Sequence, residues 1–214
     1  MAVVVQSQGG QSTGQVVNLI KTMTVTAGNT IIAMVQSDGH KATGTANVSD
    51  GVNSYVKIVE LDGEVAIYRA LNVAGGVTIV IFTPDAGIDY CALSIAEVSG
   101  LAGSPDDGST SNTAASTGIT TGSVTTTESG IVFGVFSRHA ASTIVIADSH
   151  TDIFDTGNTY ASVNGAAGYF ISAAGANALL WTGGAANTYK ACIAAFKDPS
   201  SSLFPPFKNR IQAV

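Results

Sequence analysis

The feature that most restricts what this chain can fold into is its internal repetition. Asp50-Gly51-Val52-Asn53-Ser54-Tyr55 and Asp155-Thr156-Gly157-Asn158-Thr159-Tyr160 carry the same Asp, Asn and Tyr at the same spacing. Other landmarks recur around them in the same order at offsets of roughly 100 residues, the mark of a duplicated unit. Gly28-Asn29-Thr30-Ile31-Ile32-Ala33-Met34-Val35 is echoed by Glu128-Ser129-Gly130-Ile131-Val132-Phe133-Gly134-Val135, with Ile31 and Ile131 in register. Ala74-Gly75 ahead of an apolar run is echoed by Ala174-Gly175, and Tyr90 heading a closing run by Tyr189. The chain reads as two similar halves, about 16–98 and 119–197, in a body of residues 1–198, with a C-terminal arm over 199–214.

Between these landmarks lie short runs rich in Val, Ile and Thr, separated by Gly, Asn and Asp, and no 3.6-residue stripe exceeds two turns. This pattern predicts an all-β fold: an antiparallel, jelly-roll-like β-sandwich of ten or more strands with an internal pseudo-twofold. Val3 to Val5 reads as a short first strand and Gln6 to Gln15 as loop. Ser37-Asp38-Gly39-His40 and Asp62-Gly63 read as hairpin tips, because Asp-Gly supplies the positive φ of a tight turn. Val77-Thr78-Ile79-Val80-Ile81-Phe82 is nearly all apolar, which suits a central strand covered on both faces. In Tyr90 to Val98, Cys91, Leu93 and Ile95 share a face; Glu97 falls on it too, placed at the rim or accepting a hydrogen bond. Gly100 to Ser116, polar and small, reads as a crossover joining the halves into one merged sandwich.

Composition limits the partners. Charged residues make up 11% of 214, against about 25% in an average domain, and the net charge is −6. An acidic body offers no broad face for phosphate backbones, so nucleic acid is not an expected partner. No apolar run approaches the roughly 18 residues of a membrane span. The start, Met1-Ala2-Val3-Val4-Val5, lacks a basic segment and is too short for a signal peptide, so synthesis in the cytoplasm is expected. Cys91 and Cys192 each sit in a late apolar run, at near-equivalent places in the halves, and read as buried free thiols.

No residue set names a reaction. The Asp-x-x-Asn-x-Tyr turns could offer two oxygens to a hard cation, but Asp and Asn hold such turns through their own backbone bonds. Asp148-Ser149-His150-Thr151-Asp152-Ile153-Phe154-Asp155 gathers three carboxylates and an imidazole, yet it lacks the glycine and terminal glutamate of a calcium loop and reads as a solvated strand edge. A glycosidase pair could be drawn from Glu60, Asp62, Glu64, Glu97 and Glu128; the first three flank a turn, where charge is expected anyway. His40, His139 and His150 show no metal spacing, and Gly75-Gly76 precedes no helix that could cradle phosphate. Trp181, inside Leu179-Leu180-Trp181, reads as core and not as a sugar platform. Catalytic residues, metal and cofactor are therefore all read as none.

The arm is different. Leu203, Phe204, Pro205, Pro206, Phe207 and Ile211 are too apolar for an indifferent end and too rich in proline for a strand. Lys208 and Arg210 add positive charge against an acidic body. These residues read as a partner-binding arm whose aromatics dock on a neighbouring subunit.

Asp50-x-x-Asn53-x-Tyr55, Ile67-Tyr68-Arg69-Ala70-Leu71-Asn72-Val73-Ala74-Gly75-Gly76 and Glu97-Val98-Ser99-Gly100-Leu101 together resemble β-sandwich domains of phage virion proteins and bacterial surface proteins. The resemblance spans roughly Thr22 to Asp198 and leaves the arm without a counterpart. It implies a structural protein of a bacteriophage particle, a capsid decoration protein ahead of a tail or fibre subunit, that assembles with copies of itself and other virion proteins. A carbohydrate-binding module of a fibre or surface protein is the alternative. The resemblance carries no functional residues over to this chain.

Overall fold

The computed structural model describes residues 1–38, 47–84, 90–103, 106–139, 143–155 and 164–199. They form sixteen strands and no helix. The first half supplies β1 (Val3–Gln11), β2 (Leu19–Val25), β3 (Thr30–Ser37), β4 (Asn47–Ser49), β5 (Tyr55–Leu61), β6 (Val65–Ala70), β7 (Gly76–Thr83) and β8 (Cys91–Ser99). The second supplies β9 (Asp106–Thr120), β10 (Val124–Thr126), β11 (Gly130–Arg138), β12 (Ile144–Ile146), β13 (Thr151–Asp155), β14 (Asn164–Ser172), β15 (Gly175–Asn177) and β16 (Leu180–Lys197). Every pairing between them is antiparallel.

The two halves have the same strand order. β1-β8-β3-β6-β5 is the large sheet of the first half and β2-β7-β4 its small sheet. In the second half β9 pairs with β16, which continues through β11 and β14 to β13. The small sheet is matched by β10-β15, with β12 paired to the first residues of β16.

Three cores separate four layers. Ile31, Ala33, Val35, Tyr68, Val80, Phe82 and Leu93 fill the space between the first half's small and large sheets. Val132, Phe136, Leu179, Trp181, Tyr189 and Ile193 do the same in the second half. A third cluster joins the large sheets face to face, Ile32, Met34, Ile67 and Val98 from one half meeting Ile131, Phe133, Val135, Cys192 and Phe196 from the other. Here β1 lies against β13, and β9 against β5. Because β1 matches β9 and β5 matches β13, the contact is reciprocal, as in an isologous dimer.

β3, β8 and β11 therefore carry apolar groups on both faces, and every residue of β3 and β11 is buried. Each large aliphatic or aromatic side chain so placed contributes roughly 1.5–3 kcal/mol. The chain is thus two sandwiches stacked through their large sheets, where a single merged one was expected.

Several sequence expectations shift with it. Ile31 and Ile131 face different cores, the first half's own and the shared seam. The aligned register is one residue off, and in a strand one residue exchanges the faces. Cys91 and Cys192 likewise lie in different cores. Gly175 matches Gly76 and not Gly75: Gly76 sits opposite Val25 and Gly175 opposite Thr126, both with positive φ (110° and 135°). The Asp50 turn precedes β5, whereas Asp155 ends β13, so the two motifs occupy different connections; residues 156–160 lie outside the described residues.

Residues 106–120, expected mostly as crossover, form a fifteen-residue strand, β9, whose side chains are nearly all exposed or partly covered. β1 continues through Gln11. β7 is the middle of the small sheet but is open on its outer face, with Val77 and Ile79 exposed. At the β5–β6 tip, Asp62 (φ 54°) and Gly63 (φ 71°) form the positive-φ pair expected there. His40 lies outside the described residues.

Candidate functional site

Asp50 organises the connection into β5. Its carboxylate accepts the backbone N–H groups of Val52 (2.9 Å) and Asn53 (2.7 Å), the Asn53 side-chain amide (2.6 Å) and the Tyr55 hydroxyl (3.2 Å). Asn53 Oδ1 in turn accepts the Ala74 N–H at 2.9 Å, tying the turn to the entry of β7. Burial works against the charge, but these donors outweigh it and hold the Asp50 carboxyl below its ordinary range. Burial, then the adjacent Asp50 charge, push the Tyr55 phenol well up. Both Asp50 oxygens thus brace the turn, and Asn53 Oδ1 ties it to the neighbouring connection.

The segment read as a solvated edge runs into the edge strand β13, with Ser149, Thr151 and Asp155 exposed, but it holds one buried residue, His150. His150 is fully covered, its Nδ1 against Asp148 Oδ1 and its Nε2 3.0 Å from Asp152 Oδ1. Its ring stands edge-on to Trp181 at 4.5 Å, and the Trp181 indole N–H donates to Asp152 Oδ1 at 3.1 Å. Burial opposes a charged imidazole, yet the Asp152 and Asp148 bonds prevail and raise its pKa. Asp148 Oδ2 also accepts the Leu180 N–H at 2.8 Å. The cluster fastens the β12–β13 turn to β16.

Of the acids weighed as a glycosidase pair, Asp62 and Glu64 meet at one lysine, Lys190. Glu97 is completely buried and accepts from Gln6 Nε2 (2.5 Å), the Thr26 N–H (2.7 Å) and Asn29 Nδ2 (2.6 Å). Glu60 pairs with Lys57 on its own strand. Glu64 and Asp62 reach across to the other half: Lys190 binds Glu64 and lies 3.2 Å from Asp62, while His139 sits 3.4 Å from Glu64 and 2.9 Å from Asp38. Burial disfavours the Glu64 charge, and the His139 and Lys190 bonds overcome it. Glu128 contributes its backbone N–H to Asp107, 3.3 Å away. Among the described residues no group of three His, Cys, Asp or Glu is arranged to hold a metal ion.

Sequence reasoning missed Arg138. It ends β11 fully buried, its Nε donating to Asn164 Oδ1 (3.0 Å) and its Nη1 to the Ala185 carbonyl (3.3 Å). The guanidinium lies against Gly183, where a Cβ would stand 1.9 Å from Nη1. An arginine next to a histidine reads as loop in sequence; only the glycine on a distant strand makes room for it. Trp181 is 1% exposed and so presents no face for sugar stacking.

A groove of about 220 Å³ opens between the 50–53 turn and β7. Its walls are Val52, Val77 and Ile79, at 76%, 71% and 48% exposure, with Asp50 and Asn53 at one end. A second, more open groove of about 270 Å³ is lined by Ala147, Leu180 and Thr182 with Gly118. The arm residues Leu203, Phe204, Pro205, Pro206, Phe207 and Ile211 lie outside the described residues. No family model matches the chain, and no curated protein matches it.

Proposed function

We propose that this chain is a structural protein of a bacteriophage particle, a capsid decoration protein ahead of a tail or fibre subunit. What supports the reading is how the polar groups are used. Asp50, Glu64, Glu97, Asp148 and Asp152 each bind a turn, a neighbouring strand or the other half. Side chains spent this way resist separation of layers and leave little for turnover of a substrate. The stacked sandwiches and the sequence resemblance fit the same role.

In this reading the acidic body is the rigid part, and residues 199–214 are the tether to a neighbouring copy or another virion protein. Burial of Leu203, Phe204, Phe207 and Ile211 would return roughly 1.5–3 kcal/mol each, against roughly 1–2 kcal/mol of backbone entropy per residue ordered. The Pro205-Pro206 pair narrows the free chain and lowers that cost.

The test is add-back to particles lacking the protein. Full-length chain should co-sediment with them in a fixed ratio, and a chain ending at Asp198 should fold but incorporate poorly. A chain that stays in the supernatant and instead saturates an oligosaccharide array would favour the carbohydrate-binding alternative. Equal incorporation of the truncated chain would remove the arm from the account.

A further inference from the structure

We infer that the groove between the 50–53 turn and β7 is the receptor for residues 203–211 of a second copy of this chain. The inference rests on the reading of the arm as an intermolecular tether. It starts from Val52, Val77 and Ile79, three branched apolar side chains held largely in water on one outer face. Together with exposed Ile20 on β2 they make an apolar strip across the small sheet.

Size decides what can cover it. The groove holds about 220 Å³, below the roughly 300 Å³ at which small-molecule sites begin, so it suits an inserted side chain better than a free ligand. A three-stranded face of this length offers about 350 Å², far short of the roughly 800 Å² per partner of a stable complex. A second sandwich laid flat on it would bury too little. A short extended segment that inserts an aromatic ring matches both dimensions.

The arm supplies such a segment. Pro205 and Pro206 have no N–H to give, so the segment cannot simply extend the edge of β4; it must bind through side chains on a face. Phe204 and Phe207 bring rings, and Lys208 and Arg210 follow at once. At the groove's end stands the Asp50 carboxylate, whose partners Asn53 and Tyr55 are neutral. None of the residues that line the second groove carries a charge. Charge therefore favours the first groove, as does its smaller volume, about 220 Å³ against about 270 Å³. One arm and one groove per copy give a head-to-tail contact, which propagates or closes into a ring.

The test uses the full chain with Phe207→p-benzoylphenylalanine, mixed from light and heavy-isotope preparations and irradiated. Light–heavy crosslinks to residues 50–53 or 74–79 are expected, and Val77→Asp with Ile79→Asp should reduce them at least tenfold while the circular dichroism stays unchanged. Crosslinks confined to single chains, falling on Leu180 and Thr182, or indifferent to these two substitutions would overturn the assignment. If crosslinks fall elsewhere while truncation at Asp198 still abolishes incorporation, the groove is wrong and the tether stands. If truncation leaves incorporation intact, the tether fails and this inference with it.

Discussion

The two sandwiches fill the same volume with side chains from different strands. Ile31 and Val132 are the first residues of β3 and β11 that face their own half's core, opposite Ala70 and Phe170. Two residues on, the first half pairs Ala33 with Tyr68, while the second pairs Gly134 with Gly168. The space left by the glycines is taken from outside the large sheet: a Cβ on Gly168 would meet the His150 ring at 2.7 Å, and one on Gly134 the Leu179 side chain at 3.0 Å. One half brings its ring on a central strand; the other brings it on the turn before β13. Buried charge differs as well. The first sandwich closes over an anion, Glu97, and the second over Arg138 and His150. A duplicated strand order thus fixes how much must be packed and where, and leaves open which strand delivers it.

Four measurements would break or sharpen this comparison. The largest effect should come from Tyr68→Ala, which removes the one buried tyrosine of the first core. A loss of about 4 kcal/mol is expected for an aromatic truncation of this kind, read by urea denaturation; a loss under about 1 kcal/mol would mean the site collapses freely.

Gly168→Ala should cost about 2 kcal/mol by overpacking, since the new Cβ would also stand 2.9 Å from the Thr151 carbonyl. Combined with His150→Ala, the total should fall short of the sum by about 1 kcal/mol, because the two changes share one space. Strict additivity would show that His150 does not stand in for the missing side chain.

The third measurement is the pH dependence of each half. Glu97 has its pKa lowered from 4.5, burial opposing and the Gln6, Thr26 and Asn29 bonds prevailing. The stability it contributes is present above pH 4.5 and is lost as pH falls through the lowered value. His150 has its pKa raised from 6.5, so its contribution is complete below pH 6.5 and is lost as pH rises through the raised value. Acid should therefore loosen the first sandwich before the second, and alkali the reverse. Amide exchange in β3 and β8 would follow the first half, and emission of Trp181, the chain's one tryptophan, the second. Simultaneous loosening at both extremes would show that the seam couples the halves into one cooperative unit.

The smallest effect concerns the thiols. Neither Cys91 nor Cys192 forms a disulfide, and both are buried. Burial, then the charge of Glu60, push the Cys192 thiol up to about 12. Both should resist a thiol reagent until the chain unfolds, Cys192 more so because it lies in the seam between the halves. Faster labelling of Cys192 than of Cys91 under native conditions would mean that the sandwiches separate before either opens.

The sequence by itself determined the class of the fold. β-branched runs between Asn, Asp and Gly leave few alternatives to strands and tight turns, and the Asp62-Gly63 tip was legible because only a few residues tolerate its backbone. The repetition was legible as well, since two runs of strands and turns in one order demand two similar units. The phase within each repeat was not. Ile31-Ile32-Ala33-Met34-Val35 is apolar throughout because both faces are covered, and a run without alternation carries no mark of which residue faces which core. The matching Asp, Asn and Tyr of the two turns therefore aligned connections that the fold places differently.

Partners of charge were beyond the sequence for a related reason. His150 lies two residues from each of its aspartates, but its covering Trp181 and the notch at Gly168 come from other strands. Arg138 depends on Gly183, and Glu64 on Lys190 in the opposite half. Such contacts exist only after the layers have stacked, so tertiary structure decided which polar groups became part of the frame and which apolar ones, Val52, Val77 and Ile79, were left facing water.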